Sequence, residues 1–529
     1  MSARNDSDNG VERRRFLAAV AGVAGLAALG QVPADRAIAA VRPRSGGYPF
    51  TLGVASGDPA PDGAVLWTRL APEPLAPDGG MPAKRVPVQW QVATDDRMRH
   101  VIRAGTAVAL PELAHSVHVE LSGLEPGREY FYAFRYRDDV SDIGRTKTAP
   151  APGAHLAAMS FAFASCQRWD DGYYAPYHHL AMDDLDLVVH LGDYLYEYGI
   201  NEHGGFRNVP VPDQFRTDTT TLDRYRIQYG LYKTDQNLQQ AHARFPWLVT
   251  WDDHEVDNDY AGTVQGYSGA DITARRAAAY QAFYEHLPLR RSSMPRDGDM
   301  LLYRRLAYGD LAQFDVLDTR QYRSVPPCGW GEADECDAAY DPSVTMTGSA
   351  QERWLLDGLS VSSARWNVLA NQVLMARLDH DGDDGDTVWN DSWDGYPAAR
   401  QRIVDHIVHA GVRNPVVVTG DWHSTFVNDI KTDFTNPDSP TVATEFVGTS
   451  ISSNGDREVY GPYYGPMIKF NPHIKFFDGD RRGYVRCTVD QQHWRSDLQM
   501  VTTVSRPDAP AYTLASFVVE DGRPGAHEV

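Results

Sequence analysis

Cysteine is scarce in this chain, with four in 529 residues. That is too few for a disulfide-held scaffold, so the fold must rest on an apolar core. Cys328 and Cys336 bracket a short polar loop, where either a disulfide or two free thiols would fit. Cys166 and Cys487 lie in apolar, strand-like runs, the usual setting of a small buried hydrophobe. Positive charge is also in deficit: 50 Lys and Arg face 71 Asp and Glu, a formal −21. A surface of that sign repels polyanions, so nucleic acid binding is not expected. An anionic substrate would need local cations to overturn the field, and metal ions do this best. There is no internal repeat, no transmembrane span and no Gly-x-Ser-x-Gly elbow, and the last absence leaves a covalent serine route without support.

What is present divides into three stretches, and the length alone predicts two folded domains. Residues 1 to 39 carry Arg13-Arg14-Arg15-Phe16-Leu17, an apolar run from Ala18 to Leu29, and the small-residue site Ala37-Ile38-Ala39. This resembles a twin-arginine (Tat) signal peptide, the other reading being an ordinary secretory signal. It predicts export by the twin-arginine machinery and a secreted, extracellular protein. Residues 46 to 150 read as all-β, with period-two alternation over Val86 to Val92 and Tyr130 to Tyr136. Leu124 to Tyr130 looks like the tyrosine-corner approach of immunoglobulin and fibronectin III sandwiches. Ala149 to Gly153 reads as a linker.

From residue 157 to about 520, apolar strands alternate with helical patterns, which predicts a layered α/β domain. Buried strands are expected at Leu156 to Ala164, Leu185 to Leu191, Trp247 to Thr250, Leu311 to Leu317, Trp366 to Ala370 and Pro415 to Thr419. Helices are expected at Ala270 to His286, Asp394 to Ala410 and Ser349 to Leu359, the last with Ser349 and Glu352 as a capping box. The polar insert Asn201 to Asn237 and the stretch Asp379 to Asp394 read as long loops lining a site.

Ligand-type side chains gather at the ends of these strands. Ser165-Cys166-Gln167 follows the first, and Gly192-Asp193-Tyr194-Leu195-Tyr196 the second. Asp252-Asp253-His254-Glu255 follows the third, and Gly420-Asp421-Trp422-His423 a later one. In open α/β sheets ligands collect at the carboxyl ends of strands, so one convergent metal site is predicted. Asp252 and Asn258 rank below these as oxygen donors, and Glu255 reads as structural. Arg320 would either clamp phosphate or pair with Asp318 or another carboxylate.

The order of these motifs resembles that of the calcineurin-like metallophosphoesterases, with departures at three of the four. Ser165-Cys166-Gln167 stands for Asp-x-His, Asp253 for an Asn, and Asp421 for a His. Those departures, with Leu317 to Arg323 and Glu445 to Ser450, are similar to the bacterial alkaline phosphatase D family over nearly the whole chain after the signal. The resemblance implies a layered αββα metallophosphoesterase domain behind an immunoglobulin/fibronectin III-like sandwich. It implies Fe³⁺ held by Cys166, Asp193, Tyr196 and His423, and Ca²⁺ held by a bridging Asp193 with Asp253 and Asp421. Ligand chemistry agrees: replacing imidazoles by carboxylates favours hard cations, and a thiolate beside a phenolate suits Fe³⁺. The implied activity is hydrolysis of a phosphate monoester or diester by a metal-activated hydroxide, with His254 as acid or charge stabiliser and the chain a monomer. The alternatives are a phospholipase D acting on phospholipid and a cell-surface binding protein with a degenerate hydrolase domain.

Overall fold

The computed structural model describes residues 47–382 and 386–529, so the twin-arginine segment lies outside the described residues. Among these, ten strands form one sheet and seven another. The larger sheet holds Ala158–Ala164, Leu187–His190 and Pro246–Val249 as parallel neighbours, with His190 facing Ala164 on one side and Val249 on the other. The second holds Ala312–Val316, Trp366–Asn371, Pro415–Thr419 and Thr441–Val447, again parallel in that order.

Alternation along these strands decides what each face meets. Phe161, Phe163, Leu187, Val189 and Leu248 point into an apolar core shared with Phe314, Val368, Ala370, Val416 and Val418 of the second sheet. The intervening Ala162, Val188 and Trp247 point the other way, onto helices Ala175–Leu180, Leu222–Lys233, Gln236–Arg244 and Thr273–His286. Leu369 and Val417 do the same on the far side of the second sheet, against Gly348–Val361 and Pro397–Ala410. Both faces of these strands are therefore buried, which is why they read as continuous apolar runs. Each fully buried aliphatic or aromatic side chain there contributes roughly 1.5–3 kcal/mol.

The N-terminal part supplies a five-stranded sheet that includes Val86–Ala93 and Glu129–Tyr136. It packs Val88, Val92, Tyr132 and Phe134 against Val54, Leu66, Val117 and Val119. The Tyr130 hydroxyl accepts from the Glu125 N–H at 2.9 Å. The strands facing it, Val54–Ala60, Gly63–Arg69 and Ser116–Glu120, belong to the ten-stranded sheet. Ser56 pairs with Pro246 and Gly57 with Trp247 in parallel register, so the two parts of the chain share one hydrogen-bonded sheet.

Two expectations need correction. The insert from 201 to 237 is not a plain loop, because it contains Leu222–Lys233 and the start of Gln236–Arg244. The first of these helices buries Tyr225, Tyr229 and Tyr232 along with polar neighbours, so no one-sided apolar stripe marks it. Ser349 does not cap its helix. Thr347 holds that position, Ser349 lies inside the first turn, and Glu352 is committed to Arg402 by bonds of 2.7 and 2.8 Å. Cys328 and Cys336 are joined as a disulfide, while Cys166 and Cys487 are free and buried. Among the described residues no helix is long and apolar enough to cross a membrane.

Candidate metal centre

Because the central strands of both sheets run parallel, their carboxyl ends open at a common edge. The sheets are tied together there by a parallel bridge between Ser165 and Ser450. Gln372 ties them again, donating to Thr250 Oγ1 at 3.1 Å and to the Leu317 carbonyl at 2.7 Å. The strand ends turn sharply into the cleft. Cys166, Asp193, Asp421 and His423 all adopt positive φ, between 49° and 61°. Such backbone costs of order 1–3 kcal/mol per non-glycine residue and gathers at functional sites. Gly192, at φ 112°, leaves no room for a side chain, since a Cβ there would sit 2.4 Å from the Asp252 Cβ. A Cβ on Gly420 would come within 2.8 Å of the Ser165 side chain. Both glycines let neighbouring loops close on each other.

This geometry brings the predicted residues together. Ligand atoms of Cys166, Asp193 and His423 lie within 4.8 Å of one another, as do those of Asp193, Asp252, Asp253 and Asp421, and those of Asp193, Asp253 and His254. Tyr196 completes the first group: its hydroxyl donates to Asp193 Oδ2 at 2.8 Å and lies 2.8 Å from His423 Nε2. Asp193 is the residue common to these three clusters. Asp421 and His423 keep side-chain exposures of 18% and 13%, whereas Asp193, Asp252 and Asp253 have 3% or less, so the opening lies on the Asp421 side.

Burial governs the electrostatics. It pushes the Asp193 and Asp421 carboxyls well above their ordinary range, helped by the neighbouring carboxylates. Asp252 is pushed up to about 6 by burial, although Arg320 draws it down. Asp253 goes the other way: burial opposes its ionisation, but Arg320 and His254 hold it below the carboxylate range. Burial raises the Cys166 thiol and the Tyr196 phenol, and nearby Asp193 raises both further. Burial works against protonation of His254, yet Asp253, Glu197 and Asp193 outweigh it and raise its proton affinity.

A cation fits this donor set. Asp193 Oδ1 and Asp252 Oδ2 are buried without a hydrogen-bond partner. An orphaned carboxylate oxygen is costly away from water, and metal coordination is one of the few ways to satisfy it. The nearest fixed positive charge, Arg320, is fully buried and bonds carboxylates through Nε and Nη1, while its Nη2 makes no hydrogen bond. Its Nε bonds Asp252 Oδ1, its Nη1 bonds Asp391 Oδ2 at 2.6 Å, and its Nη2 lies 3.6 Å from Asp421 and 3.8 Å from Asp253. Of the two roles open to Arg320, the structure shows carboxylate pairing, with Asp252 and Asp391 as partners. Asp318 takes the Arg320 backbone N–H at 3.1 Å. Asn258 sits beside the centre, where its side-chain carbonyl accepts from the Tyr198 hydroxyl at 3.0 Å.

Four contributors were missed from sequence. Glu197 Oε2 lies 2.8 Å from His254 Nδ1, and its other oxygen accepts the Asn258 N–H at 3.0 Å. Asp259 and Asp391 join Asp253 in a further carboxylate cluster within 4.8 Å. Ser453 Oγ lies 2.8 Å from the Tyr196 hydroxyl and bonds the Cys166 carbonyl at 2.8 Å. Glu197 directly follows Tyr196 in sequence and Asp391 falls in a stretch already singled out, so both carried a positional signal. Ser453 carried none. Glu255, read as structural, accepts the backbone N–H groups of Asp193, Tyr194 and Asp252 at 3.0, 2.6 and 2.8 Å.

Parallel strands feeding an acidic edge lined by Cys, Tyr and His make a mixed α/β scaffold with a candidate metal centre, and comparison with known proteins supplies the class. Residues 161–498 match the model of the PhoD-like phosphatase family, and residues 35–150 match that of the PhoD-like phosphatase N-terminal domain. The chain belongs to the PhoD-like phosphatase family and is an enzyme of that kind. It is 47% identical over 528 residues to alkaline phosphatase D of Bacillus subtilis (strain 168), covering 99% of this chain and 90% of that protein. A solved structure of PhoD superposes with a TM-score of 0.87 at 48% identity, covering 92% of this chain and 93% of that one. The phospholipase D and binding-protein alternatives gain nothing from these relatives.

Proposed function

We propose that the chain is an exported, metal-dependent phosphate-ester hydrolase that cleaves phosphomonoesters and phosphodiesters at an iron–calcium centre. The observation that carries this reading is the position of Asp193, whose carboxylate belongs both to the Cys166–His423 group and to the group of four aspartates. Cys166, Asp193, Tyr196 and His423 would hold Fe³⁺, since thiolate and phenolate donors favour it. Asp193, Asp253 and Asp421, with Asp252 beside them, would hold Ca²⁺, which prefers several carboxylate oxygens. When bound, these cations supply positive charge against the phosphoryl oxygens and acidify a nucleophilic water, which are the main demands of phosphoryl transfer.

The protein's own groups do the rest. Glu197 fixes the His254 ring through Nδ1, so Nε2 is left to serve the substrate. Paired with Glu197, which favours the protonated ring, His254 would give a proton to the departing ester oxygen. The carboxylates turn an anionic ester away from the cleft unless cations are bound, which ties activity to metal loading. The apolar core between the two large sheets supports a layered metallophosphoesterase arrangement, and the packing of the five-stranded sheet on Val54, Leu66, Val117 and Val119 supports an immunoglobulin-like N-terminal part. The twin-arginine segment supports export of the folded monomer to the medium.

The test is metal analysis of purified protein together with turnover of 4-nitrophenyl phosphate, with and without chelator. Stoichiometric iron and calcium, with activity lost to chelator and regained on adding both, is the expected result. Full turnover by metal-free protein overturns the reading.

A further inference from the structure

The disulfide-closed loop 328–336 contacts side chains that in turn adjoin the metal centre on two sides. On the aspartate side, the Trp330 ring lies 6.1 Å from Tyr267, whose hydroxyl donates to Asp259 Oδ2 at 2.7 Å. Arg323 sits over the same Trp330 ring at 5.6 Å and donates to Asp391 Oδ1 at 2.6 Å. The Gly331 carbonyl accepts the Asn390 N–H at 2.9 Å, and Glu332–Asp334 pairs antiparallel with Thr387–Trp389, just ahead of Asp391. On the other side, Glu332 accepts from the Tyr463 hydroxyl at 2.7 Å and lies 3.3 Å from His380 Nδ1. Tyr463 shares the short helix Tyr460–Tyr464 with Tyr460, whose ring stands 5.9 Å from His423.

One short loop thus runs from the neighbours of Asp259 and Asp391 to the helix that flanks His423. The partly exposed members of the centre adjoin these anchors: Asp421 lies 3.6 Å from Arg320, which bonds Asp391, and His423 faces Tyr460. The disulfide closes the loop, which shortens its reach and restricts its movement. We propose that the Cys328–Cys336 loop is a crossbar at the mouth of the metal centre that limits the width of the ester admitted. This rests on the phosphohydrolase reading for its substrate class. Its members do not touch the reacting atoms, so they set selectivity rather than chemistry.

The test compares three full-length, metal-loaded proteins: wild type, the double variant C328S/C336S, and Glu332→Ala. Glu332→Ala removes the Tyr463 anchor and leaves the disulfide intact, so it stands in if the double variant folds poorly. The slender probe is glycerol phosphate and the wide one is bis(4-nitrophenyl) phosphate. Freeing the loop should raise the wide-to-slender ratio of kcat/KM by about fivefold or more, with the slender ester within about twofold of wild type. A parallel measurement needs no turnover: the rate at which hydroxyl radicals oxidise His254 and Tyr460, read by mass spectrometry, should rise in both variants. An unchanged ratio with an unchanged modification rate overturns the crossbar. If wild type cleaves neither ester, the phosphohydrolase reading fails, and the modification rates still decide whether the loop obstructs the mouth.

Discussion

Glu197 Oε2 stands 2.8 Å from Nδ1 of His254, and the same carboxylate secures the Asn258 backbone through its other oxygen. This pairing fixes which ring nitrogen faces the cleft. Glu197→Gln keeps the shape and removes the charge that favours the protonated ring. It should lower kcat on an alkyl phosphate by roughly 10–100-fold, and His254→Ala by more. Both losses should shrink on a 4-nitrophenyl ester, whose leaving group needs no proton. Equal losses on the two esters would remove His254 from the role of acid.

Asp193→Asn tests the shared ligand. Asn tolerates the left-handed backbone at this position, so the loop should keep its shape. Elemental analysis should find both iron and calcium lost from this variant. Cys166→Ala should lose iron preferentially, along with any visible absorption from thiolate-to-iron charge transfer. Calcium binding retained at full strength by Asp193→Asn would contradict a bridging carboxylate.

Glu255 is a matter of stability. Its side chain satisfies three backbone donors on two strand ends, and Glu255→Ala would strand all three away from water. At about 1–3 kcal/mol for each buried unsatisfied group, a loss of several kcal/mol and a clear fall in Tm are expected. Glu255→Gln, with one acceptor oxygen left, should fall between the two.

Acid should loosen the join between the N-terminal part and the helix Thr273–His286. His118 Nε2 lies 3.0 Å from the carbonyls of both Tyr284 and Leu287, and its ring stacks on Tyr284. Burial lowers its pKa from 6.5 to about 4. A histidine held neutral by folding contributes stability that is complete above pH 6.5 and drains away as pH falls toward 4, because the unfolded chain binds the proton first. Allowing for the ring's partial exposure, the contribution is on the order of 1–3 kcal/mol. His118→Gln can still donate to the carbonyls without titrating. Melting curves from pH 7.5 to 5 should therefore drop more steeply for wild type than for the variant.

Much of the catalytic half was legible because each central strand is buried on both faces and ends in a turn bearing ligands. Leu187 to His190 followed by Gly192-Asp193 is the clearest case: an apolar run, a glycine where no Cβ fits, then a carboxylate. Leu222–Lys233 was not legible, since burial on nearly every side erased the periodicity that marks a surface helix. Glu197 and Ser453 escaped for another reason. Their roles arise from neighbours far away in sequence, His254 for one and Tyr196 for the other, and no local pattern encodes such a meeting. Glu352 shows the opposite error, a good local motif overridden by a distant arginine.

The parallel pairing of Val54–Ala60 with Pro246–Val249 bears on how the chain must fold. Gly57 lies so close that a Cβ would meet the Trp247 carbonyl at 2.7 Å, which leaves no slack for a late or approximate docking. An early strand has to wait for a partner made much later, so the loop-closure entropy of everything between is spent before the contact is rewarded. Until then the row of backbone groups along Pro246–Val249 is an open edge, the kind that recruits other chains. A fragment beginning after residue 150 would carry that edge permanently, and aggregation rather than a smaller working enzyme is what it should yield.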